Sequence, residues 1–200
     1  MTVARLTAPE RRQAVLDTAC RIFSEGSYSG TTTAEIARRS GVSEPILYRH
    51  FASKRELYLA CLDAAWLDIR GRWDGRVAAE PDPARWVQAI AAESFVAGRC
   101  PAVLPDLWVQ ALSVSNDDPV IGAALTAQLR EVHDYVADLI RRSQEAGGVA
   151  AARDADAEAW IFVSVGLLRT VAGRLGGVLG AGELDRIRAS RVEWMVGRKP

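Results

Sequence analysis

From Thr32 to Phe51 the chain reads Thr32-Thr33-Ala34-Glu35-Ile36-Ala37-Arg38-Arg39-Ser40-Gly41-Val42-Ser43-Glu44-Pro45-Ile46-Leu47-Tyr48-Arg49-His50-Phe51, and this run permits few structures. Thr32 can cap a helix while Glu35, three residues on, reaches back to the cap's own N–H, a reciprocal capping box. Gly41 can take the left-handed conformation at no steric cost and so ends that helix. Ser43 offers the side-chain oxygen that a new N-cap needs. Pro45 then falls in a first turn, where N–H groups have no intrahelical partner. Two short helices joined by a tight turn follow. Ile36, Ala37, Val42, Leu47 and Phe51 are spaced to share a small core, which leaves Glu44, Pro45, Tyr48, Arg49 and His50 on the outer face of the second helix. Such a face suits the DNA major groove, into which the second helix of a helix-turn-helix leads with its N-terminal residues. Lys54 and Arg55 follow, behind Ser53 as the next cap, and phosphates are natural partners for both. A basic helix face can equally be a solvated surface, so the surrounding sequence carries the decision.

That surrounding sequence resembles a family. Leu6-Thr7-Ala8-Pro9-Glu10-Arg11-Arg12 through Ala19-Cys20-Arg21-Ile22-Phe23, then Gly30-Thr31-Thr32-Thr33-Ala34-Glu35-Ile36-Ala37, Gly41-Val42-Ser43, Leu47-Tyr48-Arg49-His50-Phe51 and Ser53-Lys54-Arg55-Glu56-Leu57 are similar to the N-terminal domain of TetR-type (TetR/AcrR) transcriptional regulators. The resemblance covers about the first sixty residues. It implies that Thr32, Thr33, Ser43, Tyr48 and Lys54 contact phosphate, and that Glu44, Pro45, Arg49 and His50 face bases. Ala34 departs from the pattern, standing where some members carry an arginine that reads guanine.

Charge supports a local rather than a global DNA interaction. The formal net charge is zero, which argues against a broad attractive field for nucleic acid or membrane, yet residues 1–60 hold 9 Lys/Arg against 6 Asp/Glu. Cys20, Cys61 and Cys100 are odd in number and far apart, giving neither a disulfide framework nor metal-ligand spacing. The first residues lack the layout of a signal peptide. The longest apolar run, Ala159 to Leu168, is about half the length that spans a bilayer. A cytoplasmic protein with no membrane association and no cofactor or metal is the expectation.

The whole chain reads as all-α, about nine helices. Thr7 and Glu10 repeat the capping-box spacing, placing a helix start near residue 8 with the stripe Val15, Ala19, Ile22 and Phe23. A fourth helix from Ser53 is expected to end at Gly71 and Gly75, with a linker at Ala79–Pro83. Helices over Pro83–Gly98 and Pro105–Ser113 follow. Asn116-Asp117-Asp118-Pro119 starts a long helix along Ile121, Leu125, Leu129, Val132, Val136, Leu139 and Ile140, which Gly147-Gly148 stops. Asp154, Asp156 and Glu158 load the first turn of the next with the charge its dipole favours. The division implied is a DNA-binding domain at 1–60, with the helix-turn-helix at about 32–51, and an effector-binding and dimerisation domain at 61–200.

The helix Trp160–Arg169 is apolar nearly all round and must be covered on more than one side. With the last helix, Gly182–Val196, it is expected to form a homodimer through a four-helix interface, as the resemblance also implies. Two related recognition helices would read a palindromic operator in double-stranded DNA. The resemblance further implies a ligand pocket, for which Trp86, Phe95, Trp108, His133, Trp160 and Phe162 are candidate walls, with a small apolar or aromatic effector. Two histidines, no serine or cysteine with a partner at motif spacing, and no glycine-rich phosphate loop argue against an enzyme. The reading is a ligand-released repressor. Its alternative is a helical small-molecule-binding protein of the same fold that does not regulate transcription.

Overall fold

The computed structural model describes residues 7–95 and 103–196. Among them every regular element is helical: α1 (Ala8–Glu25), α2 (Thr33–Arg39), α3 (Glu44–His50), α4 (Lys54–Ala79), a 3-10 turn (Pro83–Arg85), α5 (Trp86–Phe95), α6 (Val103–Val114), α7 (Pro119–Glu145), α8 (Ala155–Arg174) and α9 (Ala181–Met195). The chain forms two compact units, one from residues up to 67 together with Asp106–Leu125, the other from the rest. The boundaries after Leu67 and Leu125 fall inside α4 and α7.

In the first unit the local chemistry fixes the helix ends. Thr7 Oγ1 accepts from the Glu10 N–H at 3.4 Å while the Thr7 N–H donates to Glu10 Oε2 at 2.6 Å, closing the expected capping box. At α2 only half of the expected box forms. Thr32 Oγ1 accepts from the Glu35 N–H at 3.2 Å, but the Glu35 carboxylate takes both Nε (2.9 Å) and Nη2 (2.8 Å) of Arg38 instead of turning back. A forked charge-assisted pair outcompetes one neutral N–H, and that bond to Arg38 lowers the Glu35 pKa. α2 ends as expected at Gly41, φ 69°. There the Val42 N–H reaches Ala37 O (3.0 Å) and the Gly41 N–H reaches Arg38 O (3.2 Å), the two bonds of a Schellman stop.

Ser43 is the N-cap residue of α3, but its hydroxyl makes no capping bond. An N-cap side chain needs the N–H of the second or third helical residue. Pro45 has none, and the Ile46 N–H is already 2.9 Å from Ser43 O. α4 is held by Ser53 Oγ, 3.0 Å from the Glu56 N–H, and by the Ala52 N–H, 2.8 Å from Glu56 Oε2. It does not stop at Gly71 or Gly75, contrary to expectation, and continues to Ala79. Each glycine costs a helix about 1 kcal/mol, but Leu62, Trp66, Ile69 and Trp73 bury one continuous face, and packing of such a face outweighs propensity.

The core of the first unit joins Val15, Phe23, Ile36, Leu47, Phe51, Leu57 and Tyr58, all buried; Val42, expected among them, is half-buried. Phe23, Tyr28 and Tyr58 form an aromatic triangle with centroids 4.9–6.0 Å apart. Tyr58 Oη donates to Leu107 O at 2.5 Å and Gln110 Nε2 to Gly26 O at 2.6 Å, which is how α6 becomes part of this unit. Cys20 and Cys61 are buried thiols, and burial, with Cys20 adjacent, pushes the Cys61 thiol up. Cys100 lies outside the described residues.

In the second unit α7 buries Val132, Val136, Ala137, Leu139 and Ile140. Gly147, φ 79°, follows its end. Gly148 then passes so close to the 3-10 turn that a Cβ there would lie 1.8 Å from Ala84 O, and Ser143 Oγ donates to Pro83 O at 2.7 Å. Pro83 therefore opens a 3-10 turn, with α5 beginning at Trp86 rather than at the proline. Asp154, expected in the first turn, is instead the N-cap of α8, accepting from the N–H groups of Asp156 (3.0 Å) and Ala157 (3.1 Å). Glu158 does not serve only the helix dipole. It is buried, ion-paired to Arg191 of α9, and accepts from Trp194 Nε1 at 2.9 Å. No helix among the described residues is long and apolar enough to cross a membrane.

Candidate nucleic-acid interface

α2 and α3, seven residues each, are locked by the Gly41 stop and by the shared core of Ile36, Ala37, Leu47 and Phe51. With Leu47 inward, the opposite side of α3 carries Pro45, Tyr48 and Arg49 exposed, with Glu44 and His50 half-buried at its flanks. Arg38 and Arg39 are exposed at the end of α2, and Ser43 is exposed at the turn with its hydroxyl unused for capping. A short helix thus presents a guanidinium, an imidazole and a phenol together on one side. Donors of this kind fit phosphates and base edges alike.

Three residues sit differently from outward phosphate contacts. Thr32 is exposed but its oxygen caps α2. Thr33 is only 8% exposed, its Oγ1 lying 2.5 Å from Glu44 Oε1 and 3.0 Å from Tyr48 Oη. Lys54 is half-buried, its ammonium 4.5 Å from the centroid of the Tyr28 ring and 3.5 Å from Ser29 O. Burial lowers its pKa. Two partners escaped the sequence reading. Tyr28 steers Lys54, and Arg12 places its guanidinium 4.7 Å from the centre of the Phe51 ring. Neither follows from spacing along one helix, because each joins residues from different elements.

Among the described side chains, the candidate effector-wall residues have individually definable surroundings. Trp108 is buried in the first unit. Phe95 has a side chain outside the described residues. Trp86 donates from Nε1 to Glu80 O at 2.9 Å, lies under Arg142 at 4.3 Å, and lines a hollow of about 310 Å³ with Pro83, Arg142, Glu145 and Ala146. His133 is a satisfied buried residue rather than an open polar handle. Its Nδ1 is 2.8 Å from Asp134 Oδ1, its Nε2 3.1 Å from Asp156 O, and Trp160, 40% exposed, stacks on it at 4.4 Å. Phe162 stands edge-on to Trp73 at 5.6 Å, with Tyr135 stacked on the same indole at 5.7 Å. Tyr135 Oη donates to Asp74 Oδ1 at 2.7 Å.

Two short helices joined at the Gly41 stop, the second with Tyr48 and Arg49 exposed, have the arrangement of a helix-turn-helix. Residues 15–61 match the family model described as bacterial regulatory proteins, tetR family, so this segment of the chain is a DNA-binding domain of the TetR type. The transcriptional activator FasR of Mycolicibacterium smegmatis is 50% identical over 58 residues, 29% of this chain and 26% of its own length. The chain therefore spans about a quarter of that relative. The transcriptional regulator BetI of Burkholderia cenocepacia is 28% identical over 155 residues, 72% of this chain and 78% of that protein. A transcriptional regulator from Saccharomonospora viridis, solved in complex with choline, superposes with a TM-score of 0.77 at 20% identity, covering 93% of this chain and 95% of that one. At that identity the likeness is one of fold.

Proposed function

We propose that the protein is a repressor that binds a palindromic DNA operator as a homodimer and is released by a small apolar or aromatic effector. Residues 1–60 are read as the DNA-binding part and 61–200 as the effector-binding and dimerisation part, without catalytic activity and acting in the cytoplasm. The observation that carries the reading is the exposed face of α3. Arg49, Pro45 and His50, with Glu44, are the base-facing set; Ser43, Tyr48, Lys54 and Thr32 are the backbone-facing set.

Dimerisation is supported by what α8 leaves outside. The face it buries within the chain holds Ala155, Glu158, Ala159, Val163, Thr170 and Ala172, mostly small, while Trp160, Ile161, Leu168 and Val171 are exposed. Leu175, just past the helix, and Trp194 of α9 are exposed too. An apolar stripe of this kind marks an interaction surface, and two copies of α8 and α9 would cover it isologously. Repression is the simpler mode, since occupancy of a promoter suffices. A quaternary ammonium effector is a second reading, favoured by the Trp73, Tyr135 and Phe162 rings, whose faces attract such cations, and by the choline in the S. viridis structure.

Gel shift on the DNA flanking the coding region tests the reading, with choline and planar aromatic acids as competing release agents. Arg49→Ala is expected to cost about 1–3 kcal/mol at the preferred site and to relax base choice. Lys54→Ala should weaken all duplexes alike and reduce the salt slope by about one. Binding that ignores sequence and salt in both variants would leave the alternative of a helical small-molecule-binding protein.

A further inference from the structure

Three oxygens from two helices line up beside the groove-facing side of α3. Thr33 Oγ1 is 2.5 Å from Glu44 Oε1 and 3.0 Å from Tyr48 Oη. A carboxylate only accepts, and a threonine hydroxyl has one proton to give. Thr33 therefore donates to Glu44, and its oxygen can only accept from Tyr48. The direction of the chain is set: Tyr48 O–H to Thr33, Thr33 O–H to Glu44. Thr33 is buried and its proton is spent inward, so it has none to offer a phosphate while this arrangement holds, and Tyr48 donates to a phosphate only by leaving Thr33.

We propose that Thr33 is a positioning residue for sequence choice, holding the Glu44 carboxylate as a fixed hydrogen-bond acceptor for a base amino group in the major groove. The proposal rests on α3 being the DNA-reading helix. An acceptor in that groove selects the N4 amino group of cytosine or the N6 amino group of adenine and is repelled by the O6 and N7 of guanine or the O4 of thymine. A free glutamate side chain samples many rotamers, and ordering it at the moment of binding costs entropy. Here the charge-assisted bond from Thr33 has already limited that sampling. Sequence spacing could not reveal the arrangement, because Thr33 and Glu44 lie on opposite sides of the Gly41 turn.

The test is selection of duplexes from a randomised pool by the full chain, followed by fluorescence anisotropy across a salt series. The wild type should select cytosine or adenine at one symmetric position in each half-site. Thr33→Val should lower discrimination at that position by about fivefold or more, with other positions and the salt slope unchanged, and Thr33→Ser should restore it. Tyr48→Phe, which keeps the Thr33 bond to Glu44 but removes a backbone-facing hydroxyl, should weaken all duplexes alike while the preference at that position stays. Glu44→Gln should erase or change it, and adding Thr33→Val to Glu44→Gln should do nothing more. Uniform weakening by Thr33→Val with base choice intact would overturn the proposal and make Thr33 a phosphate or packing residue. Should circular dichroism show Thr33→Val unfolded, Glu44→Gln decides: unchanged base choice overturns the proposal and loss at a single position sustains it. A wild type that selects no sequence removes the DNA-reading role of α3 itself, whereas a selective wild type with an indifferent Thr33→Val removes only the role of Thr33.

Discussion

The helix-turn-helix and the α8–α9 pair place their side chains by opposite rules. In α1–α3 the apolar residues Phe23, Ile36, Leu47 and Phe51 are inside, and the guanidinium of Arg49 is outside. In α8 and α9 a glutamate is inside while tryptophans are out: Glu158 is 6% exposed, Trp194 48%. The first region is finished as a single chain and offers water a face suited to a polyanion. The second keeps large apolar side chains exposed, a state that becomes favourable once something covers them. Polar-out, apolar-in is therefore a rule about the final assembly, and a monomer's surface that breaks it points to a partner.

The largest expected effect separates the two regions. Phe51→Ala empties the core beneath α3 and should destabilise the chain by about 3–5 kcal/mol, read as the urea midpoint, with DNA binding lost before oligomer mass changes in sedimentation. Arg191→Ala should do the reverse. It leaves the buried Glu158 carboxylate without its cation, at about 3 kcal/mol, and oligomer mass should fall before operator affinity measured at saturating protein. If both variants lose the same property first, the contrast between the regions is wrong. Gly148→Ala drives a methyl into the Ala84 backbone and should cost about 1–3 kcal/mol by the same urea assay, the range for overpacking. The smallest effect has the opposite sign. Gly75→Ala, in a helix interior with open space around the new methyl, should stabilise by about 0.5–1 kcal/mol, seen as a rise in Tm. A drop in Tm would mean that α4 needs its glycine for a reason other than propensity.

How much was legible followed the range of the interaction. The Thr7–Glu10 box, the Gly41 stop and the long face of α7 rest on residues within a few positions of each other, and each is present. Where two local partners competed, spacing named the wrong one: Glu35 chose Arg38 over the backbone, and Ser43 lost its capping bond to Pro45. At Gly71 and Gly75 the local signal was sound but small beside the buried face of Leu62, Trp66, Ile69 and Trp73. The effector wall was the least legible. Aromatic residues on helices announce only that they tend to be buried; that Trp160 stacks on His133 and that Trp86 lies under Arg142 are contacts between different helices or distant turns, which no local spacing encodes.

By itself the sequence determined an all-helical chain, the position of the helix-turn-helix and the residues on its outer side, because capping, glycine stops and helical periodicity act over one or two turns. Only the tertiary structure decided that Thr33 turns toward Glu44 and Tyr48, that Glu158 is buried against Arg191, and that α6 joins the first unit through Tyr58 and Gln110. Those outcomes depend on which distant groups arrive within 3 Å of a proton or a charge. No local pattern encodes such an arrival, since the packing of whole helices sets it.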